Sequence, residues 1–350
     1  MNEETGVAVT EGAIVSDTYS IGVDLGGTNL RVASYAGGVD FLHSRTIPTR
    51  LSAGRDQVIS DLCEAVQELM AKQKGVRTLV GVGVGSPGPL ELPDGILRNP
   101  PNLPGWDGFD VRSAIEARLG IPVEIECDAN LAALAEQKLG AGKTYGVDSL
   151  CVLTLGTGVG SGLILNGKIW HGSTGMGGEA GHIIVRDNGN RCGCGGYGCL
   201  EQYASATAVV RMASELMPDR LGVSAYGIAS LAHDGDAKAK QVFEQVGEAL
   251  AIGLTGLINT LNLPLHLLGG GVCEAWDLFA PTMFRVLRER SYVYRLTEPV
   301  VEQAKTLKRH KTYILRAQLG PSAGLLGACL LPYQMTTANI EETEISLAHQ

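Results

Sequence analysis

Apolar and polar residues along the chain fall into blocks, and the blocks switch between two periods. In YSIGVDLGGTNLRVASYA (19–36), Ile21 and Val23, then Leu30, Val32 and Ala33, flank a glycine turn. That pattern predicts a buried strand–turn–strand hairpin. In DQVISDLCEAVQELMAKQ (56–73) the spacing lengthens to that of a helix, with Val58, Leu62, Val66 and Leu69 on one face. VRTLVGVGVG reads as a buried strand, residues 111–119 as a short helix, VEIECDA as a strand, and NLAALAEQKLG as a helix with Gly140 as its stop. Near Leu150 the pattern starts again. SLCVLTLGTGVGSGLILNGKIW is strand, glycine turn, strand; 238–263 is a long helix; LHLLGGGVCE is strand, glycine turn, helix. The apolar PSAGLLGACLL predicts a last helix that returns to the first half.

Two glycine-turn hairpins, each opening one half, predict a duplicated α/β architecture with a cleft between the halves. The expected division is an N-terminal extension over 1–18, a first α/β lobe over 19–126 completed by the C-terminal helix of about 320–333, a second α/β lobe over 127–319, and a tail over 334–350.

Composition narrows the class. With 350 residues there is room for two domains, and 47 glycines with few aromatics suit an α/β enzyme with tight loops. The net charge of −9, without a prominent Lys/Arg run, argues against nucleic acid and anionic membranes as partners. The first twenty residues are acidic and polar, unlike a secretory signal, and no apolar stretch reaches membrane-spanning length. A cytoplasmic, reducing location is expected, and structural disulfides are not.

Candidate chemistry gathers at a few motifs. DLGGTN puts Gly26, Gly27 and Thr28 at a hairpin tip, where backbone N–H groups can face a phosphate and Asp24 can hold Mg²⁺ through water. A plain hairpin turn accounts for the same residues. LGTGVGSG repeats the chemistry with Thr157 and Gly158, and LGGG at 268–271 supplies a third turn. No GxxxxGK[ST] exists, and Gly83, Gly85 and Gly88 match GxGxxG only across prolines, with no helix following. In ECDAN, Asp128 stands at a strand end before a helix, as a helix cap or as a base for a substrate hydroxyl. Finally, GEAGHIIVRDNGNRCGCGGYGCLE holds Cys192, Cys194 and Cys199 within eight residues, downstream of His182. Cys-x-Cys-x₄-Cys plus that histidine makes a four-ligand set suited to one structural Zn²⁺.

Together DLGGTN, GVGSPGP, NPPNLPGW, ECDANLAALAE, LGTGVGSG, GEAGH, CGCGGYGCLE and LGGG resemble the ROK family of sugar kinases and repressors, within the sugar kinase, Hsp70 and actin superfamily. The resemblance implies two α/β lobes of that type, closing over a hexose and ATP. It implies Asp128 as catalytic base, and Glu179, His182 and Glu201 on sugar hydroxyls, with Gly88 and Asn102 lining the site. Asp24, Gly26, Gly27, Thr28 and Asn29, with Thr157 and Gly158, would hold the phosphates, and Gly270 and Gly271 would lie by the nucleotide. His182, Cys192, Cys194 and Cys199 would bind structural zinc, Mg²⁺ would accompany ATP, and the assembly would be a homodimer or homotetramer.

One departure stands out: the family's asparagine before the base is Cys127 here, a poor hydrogen-bond partner at a sugar contact. The expected activity is phosphorylation of glucose, with N-acetylmannosamine, N-acetylglucosamine, fructose or allose as rival acceptors and polyphosphate a less favoured donor. A sugar-sensing repressor is disfavoured, because only about eighteen residues, acidic on balance, precede the first strand where such repressors carry a helix-turn-helix.

Overall fold

A computed structural model describes residues 17–220, 222–299 and 307–334. The expected extension and tail fall outside these residues, apart from Asp17, Thr18 and Gln334. Two five-stranded sheets dominate. The first contains β1 (Thr18–Leu25), β2 (Asn29–Tyr35), β3 (His43–Pro48), β4 (Thr78–Ser86) and, after the small β5–β6 hairpin (Leu90–Glu91, Ile96–Leu97), β7 (Val123–Cys127). The second contains β8 (Leu150–Leu155), β9 (Val159–Leu165), β10 (Lys168–Ile169), β11 (Leu265–Gly269) and β12 (Tyr313–Arg316). Their orders are β3-β2-β1-β4-β7 and β10-β9-β8-β11-β12. Counted within each sheet, both read third, second, first, fourth, fifth. In each, the first three strands are antiparallel neighbours and the last two join in parallel. The duplication expected from the hydrophobic pattern is therefore topological.

The helices follow from their apolar faces and caps. They are α1 (Arg55–Gln73), α2 (Val111–Leu119), α3 (Asp128–Lys138), α4 (Ala141–Tyr145), α5 (Glu201–Ala204), α6 (Ala206–Leu216), α7 (Ala225–His233), α8 (Ala237–Leu261), α9 (Trp276–Arg290), α10 (Tyr292–Thr297) and α11 (323–334). α1 buries Val58, Leu62, Val66 and Leu69 against the first sheet, as its spacing requires. α8 ends two residues earlier than expected because Asn262 takes the left-handed conformation at φ 49° and closes it. Gly140 is not a left-handed stop: its φ is −99°, and it starts α4 instead. A 3-10 turn (Gly271–Ala275) separates the third glycine turn from α9.

Three apolar clusters result. One lies under each sheet, and the third joins α3 and α11 to residues of both sheets, including Ala33, Tyr35, Val152 and Leu267. α11 reaches the first sheet as expected, with Ser20 Oγ donating to the Cys329 carbonyl at 2.6 Å. α3, which begins at Asp128, lies between the two halves and packs on β8 and β9. No described helix is long and apolar enough to cross a membrane.

Candidate active site

β7 runs parallel to β4 and ends at Cys127, so the next residue emerges at the carboxyl edge of the first sheet. Cys127, with extended backbone, takes the capping position, and Asp128 is the first helical residue. Asp128 is therefore not the helix cap. Its Oδ1 accepts from the Ala129 N–H at 2.7 Å and faces the Cys127 thiol at 3.6 Å, leaving Oδ2 without a hydrogen bond among the described residues. The residue is exposed to solvent, yet protein atoms crowd its carboxyl closely enough to desolvate it. This crowding, reinforced by the charges of Asp24 and Glu179, raises its pKa to about 6. Burial also pushes the Cys127 thiol well above its ordinary value, so it stays neutral.

Glu179 meets this strand end across Gly88. A methyl group at Gly88 would lie 3.4 Å from Cys127 Sγ and 3.6 Å from Glu179 Oε1. Crowding raises the Glu179 pKa, with Glu201 adding to the rise and His182 opposing it. His182 sits one 3-10 turn on, with Nε2 3.9 Å from Glu179 Oε2. Its other nitrogen, Nδ1, lies 3.7 Å from Cys192 Sγ. One imidazole thus faces both the candidate sugar contacts and the cysteine cluster.

The ligand atoms of His182, Cys192, Cys194 and Cys199 all lie within 4.8 Å of one another. Ligands about 2.3 Å from a tetrahedral zinc ion stand about 3.7 Å apart. The separations from Cys194 Sγ to Cys199 Sγ and from Cys192 Sγ to His182 Nδ1 are both 3.7 Å. The donor set and its spacing fit a bound divalent ion. An isolated bridge from Ile184 to Cys199 ties the cysteine loop to the segment after His182, and a second, from Arg191 to Tyr197, closes the loop on itself.

The two glycine turns are held from different directions. At the first, Thr49 donates its N–H to the Thr28 carbonyl at 2.8 Å and its hydroxyl to the Gly26 carbonyl at 2.6 Å. Asp24 is paired with Arg31, whose Nε stands 2.8 Å away and whose Nη1 reaches the Pro321 carbonyl. A side chain at Gly27 would meet the Asn102 carbonyl at 2.8 Å, which places Asn102 on this turn. At the second turn, Glu201 Oε2 accepts from the Val159 N–H at 3.1 Å, while its Oε1 faces Cys192 Sγ at 3.7 Å. A side chain at Gly158 would strike that same carboxylate. Thr157 is pinned through its carbonyl by the Thr207 hydroxyl at 2.8 Å. Gly270, at φ 90°, packs its Cα against the Leu155 backbone, so the third turn lies beside the second, with open space at Gly271. Asn29 is exposed at the start of β2.

Two buried carboxylates escaped the sequence reading. Glu136 is fully buried and accepts from the backbone N–H groups of Ala141, Gln318 and Leu319, tying α3 to the segment before α11. Glu126, 2% exposed, accepts from the Cys127 N–H and from Asn130, and bonds His171 Nε2 at 2.5 Å. No local pattern marks Glu126: β7 is the edge strand of its sheet, where a glutamate in VEIEC could equally meet solvent, and only the fold covers and pairs it.

Twinned sheets of one strand order, each opening on a glycine turn, together with likeness to solved ROK sugar kinase structures, define the sugar kinase, Hsp70 and actin class of α/β proteins. Within that class, the chain belongs to the ROK family, whose model matches residues 20–334. It is 34% identical over 327 residues to a glucokinase of Halalkalibacterium halodurans, covering 89% of this chain and 94% of that protein. Among solved structures, a ROK hexokinase from Thermus thermophilus superposes with a TM-score of 0.75 at 34% identity, covering 91% of this chain and 99% of the other. A ROK family glucokinase from Streptomyces griseus, solved with glucose and AMPPNP, gives 0.73 at 30% identity, with 90% and 99% covered.

Proposed function

We propose that this protein is an ATP-dependent hexose kinase whose acceptor is glucose. The observation that carries the reading is Asp128: an accessible carboxylate with one unbonded oxygen and a pKa raised to about 6, beside Glu179 and the first glycine turn. A base tuned near the working pH is what proton removal from an attacking hydroxyl requires. The similarity to glucokinases and to a glucose and AMPPNP complex supports the same chemistry.

In this reading the 6-hydroxyl of the sugar attacks the γ-phosphate in line, and Asp128 takes its proton. Glu179 and His182 orient neighbouring hydroxyls, with Gly88 and Asn102 lining the site. Glu201 adds a contact and braces the second turn. Backbone N–H groups of the turns at Gly26–Asn29 and Thr157–Gly158 face the phosphates, and Gly270 and Gly271 flank the nucleoside. Asp24 would hold Mg²⁺ through water, and the ion would supply positive charge against the developing phosphoryl charge. The lobes 19–126 with the terminal helix, and 127–319, close over both substrates and exclude water. His182, Cys192, Cys194 and Cys199 would hold a structural Zn²⁺ with all four ligands from protein, and the ion would fix the loop that carries Glu179 and Glu201.

The deciding test is a coupled ADP-release assay over glucose, fructose, mannose, N-acetylglucosamine and N-acetylmannosamine. Glucose is expected to give the highest kcat/KM. A higher value for an acetamido sugar would move the assignment to that substrate, and no ADP release with any hexose would remove the kinase reading.

A further inference from the structure

We propose that Glu126 and His171 form a positioning pair for sugar binding, fixing the loop that leads into Glu179 and His182 against the strand end that carries Asp128. The proposal rests on the hexose-kinase reading and adds to it two residues that touch neither substrate.

The geometry divides the two oxygens of Glu126 between the two sides of the site. Oε1 accepts from the Cys127 N–H at 2.8 Å and from Asn130 Nδ2 at 2.9 Å. Both donors belong to the start of α3, so this oxygen sets where the helix begins and where Asp128 emerges. Oε2 bonds His171 Nε2 at 2.5 Å, across 45 positions of sequence. His171 follows β10, and its carbonyl accepts from the Gly177 N–H at 2.7 Å, which closes the loop immediately ahead of Glu179.

A second contact points the same way. Asn130 Oδ1 is buried without a hydrogen-bond partner, and a methyl group at Gly178 would lie 3.9 Å from it. Ser161 holds that glycine's carbonyl and accepts from the Ala180 N–H at 2.8 Å. Glu126 is 3% exposed in its side chain and His171 39%. A loop that swung away would strand a buried carboxylate, which is costly. Hydrogen bonding to Glu126 raises the His171 pKa against the effect of burial, which favours the charged pair.

A merely structural ion pair and a positioning pair differ in what they change. The first would lower stability and leave the two substrates equally affected. The second acts on the sugar side alone. His171→Ala is expected to raise the glucose KM about tenfold, with the ATP KM within about twofold and metal content unchanged. His171→Gln, whose amide can donate to Glu126, is expected to bring the glucose KM back to within about threefold of wild type. Amide hydrogen exchange over 171–180 is expected to quicken in His171→Ala and to recover in His171→Gln. Should His171→Ala fail to fold, Glu126→Gln at conserved volume carries the same expected rise in glucose KM. An unchanged glucose KM in the alanine variant, or equal rises in both KM values without rescue by glutamine, overturns the proposal. If the wild-type protein phosphorylates no hexose, the kinase reading is what fails. The exchange data then decide alone: unchanged exchange in His171→Ala overturns the pair, and quickened exchange with recovery in glutamine supports it.

Discussion

The two glycine turns occupy the same place in two sheets of the same strand order, yet they are secured by different means. The first is held by ordinary hydrogen bonds from Thr49, just after β3, by the loop around Asn102, and by Arg31, which links Asp24 to the turn ahead of α11. The second is held by Glu201, and Glu201 in turn abuts the cysteine cluster. The lesson is that duplication fixed the backbone path, while each turn acquired its own support. One depends on the chain alone, and the other on a cluster suited to a metal ion. Perturbations should therefore separate into those that affect both turns and those that affect one.

Asp128→Asn should give the largest effect, because Asp128 belongs to neither turn and is the proposed base. A drop in kcat of about 10²–10⁴-fold is expected, with the melting temperature little changed, read by the coupled assay and by thermal denaturation. Near-normal turnover would exclude it as the base. In wild type, kcat should fall as pH drops below about 6, since the reaction needs the ionised carboxylate and protonation removes it.

Metal removal comes next and tests the comparison directly. Cys194→Ser, or prolonged chelation, should lose the ion and lower kcat/KM for glucose by about 10–100-fold. The second turn and Glu201 lose their brace and the glucose KM should rise, while the supports of the first turn, Thr49 and Arg31, are untouched. Full activity in a protein shown by elemental analysis to be metal-free would show that the cluster is dispensable.

Arg31→Met is the reciprocal perturbation and should be milder. It leaves Asp24 without its partner, so the ATP KM is expected to rise about three- to tenfold with the glucose KM steady. The same change strengthens the negative field at Asp128, because Asp24 already raises that pKa. The acid limb of the kcat profile should move to higher pH. A limb that stays in place would mean that Asp24 and Asp128 do not sense one another.

Much of this comparison was legible in the residues. The hairpin at 19–36 and its repeat near 150–170 announced the duplication, because strand periodicity broken by glycine survives any tertiary context. Cys-x-Cys-x₄-Cys with a nearby histidine was equally readable, since metal ligands have few other reasons to cluster. The supports were not. Nothing local to Glu201 shows that one oxygen caps Val159, and nothing local to Arg31 shows that it spans to Pro321, 290 positions away. His171 and Glu126 likewise carry no pattern, because the partner of a buried charge is chosen by the fold. Gly140 marks the end of α3 as its place in the sequence suggests, but not by a left-handed turn: its φ is negative, and it also opens the next helix.

The smallest effect concerns the sheets beneath the turns, and it distinguishes the halves by stability rather than catalysis. His266, in β11, is fully buried, and neither ring nitrogen has a hydrogen-bond partner. The matching fourth strand of the first sheet, β4, contains no ionisable side chain. Burial lowers the His266 pKa from 6.5 to about 4. The folded pKa lies below the unfolded one, so the unfolded chain takes up a proton first as pH falls. The full stability is present above about pH 6.5 and is lost progressively down to about pH 4, where the folded state also protonates. Between pH 7 and pH 5 this one residue should cost about 2 kcal/mol. His266→Leu, similar in volume and without a charge to desolvate, should remove that part of the acid sensitivity and leave the kcat profile, set by Asp128, where it was. Equal acid sensitivity in the leucine variant would assign the effect to other groups and would leave the two sheets alike in their response to acid.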